Sequence, residues 1–156
     1  KNRTMVTKKL KPTLAFAIIS NLHFLLGTFI FIVLVGSFDE IKFVDAYAMP
    51  ISILVFLYRV LLTRSHTWEI GSENIVYKRG VFSRKVDYLE MYRIRDYHIS
   101  KPFLMRLIWS MNISLRTTDK NMPELKLDGV PDSEIIPKLR NLVELQRKNK
   151  NVYVID

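Results

Sequence analysis

Cysteine is absent from this chain of 156 residues. The chain can therefore form no disulfide bond, no thiolate zinc site and no thiol nucleophile. A chain without cysteine suits a reducing compartment, so the composition gives no reason to expect a secreted, disulfide-stabilised domain.

The residue spacings of common catalytic and metal sites are also missing. The three histidines, His23, His66 and His98, lie far apart in the sequence. No His-x-x-x-His pair, Gly-rich phosphate loop or nucleophile elbow occurs. We therefore expect no enzyme activity, no metal ion, no cofactor and no small-molecule substrate.

Charged side chains are absent from residues 14–38, a run of 25 residues. A membrane-spanning helix needs about 20 apolar residues, so this run is long enough. A second apolar run, residues 46–62, follows after a short gap. The pattern predicts a transmembrane helical hairpin over residues 14–64, with spans at about 14–38 and 46–62.

The charges at the ends of the two spans differ in sign. Residues 1–11 carry five basic side chains and no acid, whereas residues 39–45 carry three acids and one lysine, a net charge of −2. Basic segments beside spanning helices stay in the cytoplasm and meet anionic head groups there. The charges therefore predict a basic cytoplasmic N-terminus over residues 1–13, a turn outside, and both termini in the cytoplasm.

Three polar side chains, Ser20, Asn21 and His23, lie in the cytoplasmic half of the first predicted span. Polar groups at membrane depth face a partner helix or another protein rather than lipid. A proton-relay histidine is one interpretation. An interhelical or interfacial hydrogen bond is favoured, because no second ionisable group lies at matching depth.

From Thr67 onward the apolar period changes from helical to alternating, which predicts at least six strands. A slip in the alternation near Arg95 and Asp96 predicts a β-bulge. A short helix after Ser100 interrupts the strands, and an amphipathic helix follows Asp132. The pattern predicts a single bent antiparallel sheet or open barrel, capped by that last helix, over residues 65–148, with a tail at 149–156.

The ordered stretches of this region resemble the bacterial membrane-flanked domain, a pleckstrin-homology-like (PH-like) domain that follows a pair of spanning helices. The matching stretches share their order with that family and are residues 68–70, 75–86, 92–96, 103–108, 113–118 and 125–131. The resemblance implies a multi-pass α+β membrane protein of the bacterial cytoplasmic (inner) membrane, with a PH-like fold and no enzyme activity. Members of the family commonly carry glycines just after the inserted helix, where this chain has Trp109 and Met111. That departure predicts an altered turn with an aromatic exposed to a partner.

The first candidate surface is the basic segment of residues 78–85. Lys78, Arg79, Arg84 and Lys85 surround Phe82 at a predicted turn. Cations for anionic head groups beside an apolar tip are typical of a membrane-contacting surface. The alternative is an ordinary basic turn with Phe82 in the core.

The second candidate surface is an exposed sheet edge together with Trp109 and Met111. Open sheet edges recruit strands or helices from partners. We therefore favour a membrane-anchored, non-enzymatic scaffold or accessory subunit, whose PH-like domain binds a protein partner or further copies of this chain. The alternative is a module that binds anionic lipid head groups at the inner membrane surface. The net charge of +9 does not indicate nucleic-acid binding, because basic and acidic residues alternate across the domain.

Overall fold

Two long helices lie between a short first strand and the later strands of the β-sheets in the computed structural model of this chain. The structure describes the backbone of residues 6–35 and 42–150, and the side chains of residues 8–34 and 47–150. Helix α1 is Leu14–Val35 and helix α2 is Lys42–Ser65. Helix α2 begins four residues before the predicted start of the second span at residue 46, so part of the predicted turn is helical. Residues 36–41 and the tail residues 151–156 lie outside the described residues.

Both helices are long and apolar enough to cross a membrane by length and composition, at Leu14–Leu34 and Tyr47–Ser65. Only 11% and 6% of these segments are buried inside the chain. The apolar side chains therefore face outward for the most part, whereas the core helix of a soluble protein buries them. Thr13 caps α1, because the Phe16 N–H donates a hydrogen bond to Thr13 Oγ1 at 3.2 Å.

Seven strands form two antiparallel sheets in the described part of the chain. The strands are β1 (Val6–Leu10), β2 (Thr67–Gly71), β3 (Asn74–Arg79), β4 (Lys85–Glu90), β5 (Ile94–Ser100), β6 (Ser110–Thr117) and β7 (Glu124–Pro131). Among the described residues the first sheet has the order β1-β2-β3-β4 and the second β5-β6-β7. The α+β class with antiparallel pairing is as predicted, but the strands form two sheets rather than one. A 3₁₀ turn, Met91–Arg93, separates them, and the predicted bulge is confirmed by a register shift between Ile94 and Asp96.

The basic N-terminal segment contributes a strand that the sequence analysis did not predict. In β1, Lys8 pairs with Ile70 and Leu10 pairs with Trp68. Leu10 is buried, while Lys9 forms an ion pair with Glu69 at 3.6 Å. Because β1 leads directly into α1, the first sheet and the first helix are fixed to each other.

The core lies between the two sheets and the C-terminal helix. Helix α3 is Phe103–Leu107 and helix α4 is Ile135–Asn149. Helix α4 buries one apolar stripe against the sheets. Each such side chain contributes about 1.5–3 kcal/mol on burial. The main buried members of the core are Trp68, Ile75, Leu89, Ile113, Leu115, Leu127, Ile135, Leu139 and Val143.

Candidate lipid-binding and partner-binding surfaces

The turn between β3 and β4 lies against the end of α2. The Gly80 N–H donates a hydrogen bond to Ser65 Oγ at 3.1 Å. Gly80 has a φ of 106°, and a Cβ there would lie 1.9 Å from the Ser83 carbonyl oxygen. This position therefore needs glycine for both its backbone conformation and its space.

Phe82, at the tip of this turn, extends along α2. Its side chain is 88% exposed, which rules out the alternative that it lies in the core. Its ring stacks on Tyr58, with 6.2 Å between the centroids. Tyr58 lies seven residues before Ser65, which corresponds to about 10 Å along a helix. The turn thus brings an exposed aromatic ring alongside the outer face of the apolar hairpin.

The four basic side chains of residues 78–85 divide into two pairs. Lys78 Nζ lies 2.6 Å from Glu69 Oε2, and this hydrogen bond lowers the pKa of Glu69. Arg79 forms an ion pair with Asp87 at 3.4 Å. Arg84 and Lys85 are exposed and make no hydrogen bond or ion pair within the part of the chain that the structure describes. Of these four side chains, only Arg84 and Lys85 thus keep their full charge available to an external anion.

Met111 does not belong to an exposed surface, and its prediction as a partner residue is wrong. Its side chain is 1% exposed and belongs to the core. The reason is the period of a strand, because Met111, Ile113 and Leu115 point to the same face of β6. Extending the alternation that placed Ile113 and Leu115 inside by one step would have identified Met111 as a core residue.

Trp109, in contrast, is 79% exposed. Its φ is 51°, and it is the one non-glycine residue with a positive φ among the described residues. Its N–H donates to the Arg106 carbonyl at 3.2 Å, and its own carbonyl accepts from the Asp132 N–H at 2.8 Å. The turn therefore keeps a backbone conformation natural to glycine, although a tryptophan occupies it.

The apolar side chains of α3 are exposed as well. The helix buries none of its residues. Phe103 is 72% exposed, Leu104 is 54% exposed and Leu107 is 70% exposed. The sequence predicted an apolar face on this helix, and the structure directs that face outward rather than into the core.

Asn21 links the two helices of the hairpin. It is 5% exposed, and its amide donates to Thr63 Oγ1 at 3.2 Å and to the Ala17 carbonyl at 2.8 Å. Its Oδ1 accepts a hydrogen bond from Arg59 Nε at 3.0 Å. The side chain of His23 is exposed and, among the described residues, forms no hydrogen bond. The favoured interhelical bond is therefore present at Asn21 and not at His23.

A cleft of about 980 Å³ separates the base of the hairpin from the strands. His66 Nδ1 lies 2.8 Å from the Tyr77 hydroxyl, and the Tyr77 ring stacks on Trp68 at 5.6 Å. Burial and, secondarily, Arg79 lower the pKa of His66, and burial raises the pKa of Asp128. Sequence reasoning missed this group because only the packing of the two sheets brings Asp128, on β7, near His66, which lies between α2 and β2.

The charges of the cleft do not favour an anion. Its acidic lining residues are Asp87, Asp119, Glu124 and Asp128, and its lysine and arginine residues are Arg79 and Lys126. Strands β4 and β7, one edge strand of each sheet, both contribute residues to the lining. Within the described residues no group of three or more His, Asp or Glu side chains could hold a metal ion.

Comparison with known families gives a match over most of the chain. A family model described as "Bacterial PH domain" matches residues 16–147. No curated protein and no solved structure matches the chain.

Proposed function

Since the chain belongs to the bacterial PH domain family, a family of binding modules, we propose that it is a membrane-anchored module that contacts anionic lipid through its β3–β4 turn. In this proposal α1 and α2 span the bacterial inner membrane and both termini lie in the cytoplasm. The PH domain then rests on the inner leaflet. The predicted order of preference is reversed, because the geometry supports lipid contact better than partner binding.

The stacking of Phe82 on Tyr58 is the observation that supports this proposal. If α2 crosses the membrane and Ser65 marks the inner interface, Tyr58 lies about 10 Å deeper. Apolar groups of peripheral segments insert about 5–10 Å into the boundary between head groups and acyl chains. In this arrangement the Phe82 ring, stacked on Tyr58, would reach that depth beside an exposed part of α2.

The two exposed cations supply the attraction for anionic head groups. A basic side chain near an anionic surface contributes about 1 kcal/mol, so Arg84 and Lys85 together contribute about 2 kcal/mol. Lys78 and Arg79 contribute less, because Glu69 and Asp87 already neutralise them. The tether holds the turn at the surface, so a weak interaction is sufficient.

The absence of cysteine allows a direct test in the full-length chain. The Ser83→Cys variant, labelled with an environment-sensitive dye, is reconstituted into vesicles of phosphatidylcholine with or without phosphatidylglycerol. We expect the dye emission to shift to shorter wavelength when phosphatidylglycerol is present. The shift should be lost when Arg84 and Lys85 are both replaced by serine.

The matched control replaces Lys78 and Arg79 by serine, which removes the same formal charge from the same turn. This variant should keep most of the dependence on phosphatidylglycerol. Equal losses in the two variants, or no dependence on phosphatidylglycerol in the parent protein, would contradict the proposal.

A second candidate function is binding of a protein partner, or of another copy of this chain, at the cleft. Edge strands present unpaired backbone groups to which an extended peptide can add. On β4, Val86 is 43% exposed and Tyr88 is 66% exposed. Within the described residues, this edge therefore combines unpaired backbone N–H and C=O groups with apolar side chains that a partner strand could cover.

Photocrosslinking in native membranes tests this second function. A photoreactive amino acid at Tyr88 should yield a defined crosslinked band. The same probe at Arg116, an exposed position on the central strand β6, is the control and should not. Recovery of the monomer alone with the Tyr88 probe would exclude partner binding at this edge.

A further inference from the structure

Four exposed apolar side chains form a patch around α3. We call Phe103, Leu104, Leu107 and Trp109 the α3 patch. Each of them is more than half exposed, and α3 itself buries no residue. Clustered exposed apolar residues mark interaction sites more often than isolated ones do.

The patch adjoins the start of α1. Ser110, the next residue after Trp109, forms a hydrogen bond through its hydroxyl with Thr13 Oγ1 at 2.8 Å. The Thr13 N–H donates to the Gly129 carbonyl at 2.8 Å. The Phe16 ring lies directly over Gly129, where a Cβ would approach Phe16 Cδ1 to 2.0 Å. The turn after α3 and the first turn of α1 are therefore held together by direct contacts.

The backbone at Trp109 suggests that the exposed indole has a role outside the fold. A bulky residue with a positive φ is strained, and glycine is the usual residue just after a helix. Burial of the indole does not compensate for this backbone strain, because the side chain is 79% exposed. Strain at an exposed side chain is a reason to look for function.

We propose that the α3 patch inserts into the interfacial layer of the bilayer beside the start of α1, with Trp109 at the level of the head groups. Trp is enriched at this level, because its ring has an apolar body and one polar N–H. Arg106 is exposed on α3, and Lys11 is exposed three residues before the start of α1. Both side chains can contact lipid phosphates in this arrangement. The insertion rests on the proposed membrane crossing of α1 but not on anionic lipid contact by the β3–β4 turn.

The distribution of tryptophan makes insertion measurable in the full-length chain. The chain has two tryptophans, buried Trp68 and exposed Trp109, and neither lies in the hairpin. The protein is reconstituted into vesicles of phosphatidylcholine, with or without bromine on the upper acyl carbons. The emission of Trp109 is the difference between the parent protein and the Trp109→Phe variant.

We expect the brominated lipid to remove most of the Trp109 emission and aqueous iodide to leave it. The emission that remains in Trp109→Phe comes from Trp68 and should respond to neither quencher. Quenching by iodide would overturn the insertion, since the patch would then face water. Protection from both quenchers would also overturn it, since a protein surface would then cover the patch.

Two controls separate this inference from the proposed function. The Phe82→Ser variant alters the β3–β4 turn and should leave the quenching of Trp109 unchanged. Extraction of the membranes with alkaline carbonate tests the crossing of the hairpin itself. Release of the protein by carbonate would overturn the membrane crossing and the insertion together, whereas retention with unquenched Trp109 would overturn the insertion alone.

Discussion

Two turns lie at the base of the helical hairpin. Both require a residue with a positive φ, and they use different residue types for it. The β3–β4 turn contacts the end of α2 through Ser65, and the turn after α3 contacts the start of α1 through Thr13. Each contains a left-handed residue and an exposed aromatic. In the β3–β4 turn these are separate residues, Gly80 and Phe82, whereas Trp109 is both at once.

One position cannot combine an unstrained positive φ with a large exposed side chain. At the β3–β4 turn Gly80 adopts the positive φ, and Phe82 is exposed without this strain. At Trp109 the side chain is retained at the expense of backbone strain.

The charges of the two turns differ less. Among the described residues, Arg84 and Lys85 are unpaired at the β3–β4 turn. Arg106 is likewise exposed on α3, while Lys101 beside this helix is paired with Asp132 at 2.6 Å.

The largest effect is expected at Gly80. In Gly80→Ala the new Cβ would meet the Ser83 carbonyl oxygen, and the positive φ adds strain. We expect the free energy of unfolding to fall by about 1–3 kcal/mol. Thermal unfolding in detergent measures the loss, and Gly27→Ala is the control, since nothing lies within 4 Å of a Cβ there. A loss at Gly27 as large as that at Gly80 would contradict this explanation.

The opposite sign is expected at Trp109. Glycine adopts the left-handed conformation without strain, so Trp109→Gly should raise the free energy of unfolding in detergent by about 1 kcal/mol. Trp109→Ala, which keeps a Cβ, should give little of this gain. A marked destabilisation by Trp109→Gly would show that the indole stabilises the fold, and the contrast between the two turns would fail.

A smaller loss is expected at Phe82, because its ring is mostly exposed and contacts Tyr58 only by stacking. Phe82→Ala should lower the free energy of unfolding in detergent by about 0.5 kcal/mol. Thermal unfolding of a Tyr58→Ala, Phe82→Ala double-mutant cycle isolates the stacking term. Additive losses in the two single variants would mean that the rings do not interact.

The smallest effect is a dependence on pH near the β3–β4 turn. Burial and Arg79 lower the pKa of His66, an effect opposed by Asp128, so the folded chain binds this proton more weakly than the unfolded chain. Stability linked to His66 is therefore present above the ordinary histidine pKa of about 6.5, and it is lost as pH falls through the lowered folded value. Unfolding measured from pH 7.5 to 5 should show this loss in the parent protein. The His66→Asn variant should show a flatter profile, and an unchanged slope would assign the loss to another group.

Local patterns in the sequence identified the elements of this fold. The uncharged run from residue 14 predicted α1, the alternation from Thr67 predicted the strands, and its slip predicted the bulge at Ile94–Asp96. The stripe on α4 was correct at Ile135, Leu139 and Val143. These features depend on neighbours within a few residues, so the sequence displays them directly.

Contacts between distant segments could not be predicted from the sequence. The lysines of residues 6–10 indicate a basic segment, and no local pattern indicates that these residues form a strand. Their pairing with β2 depends on Leu10 reaching the core beside Trp68. The four cations of residues 78–85 looked equivalent, and only the positions of Glu69 and Asp87 divide them into two pairs.

The sequence by itself determined the apolar hairpin, the strands after residue 66 and the C-terminal helix, because their periods are properties of the local chain. The alternation of β6 already indicates that Met111 is buried, whereas only the tertiary structure shows that Trp109, two residues earlier, is exposed. The turn after α3 places Trp109 outside the sheet, and the register of β6 turns Met111 inward. The position of the turn after α3 depends on its contacts with the start of α1, and no single segment contains that information.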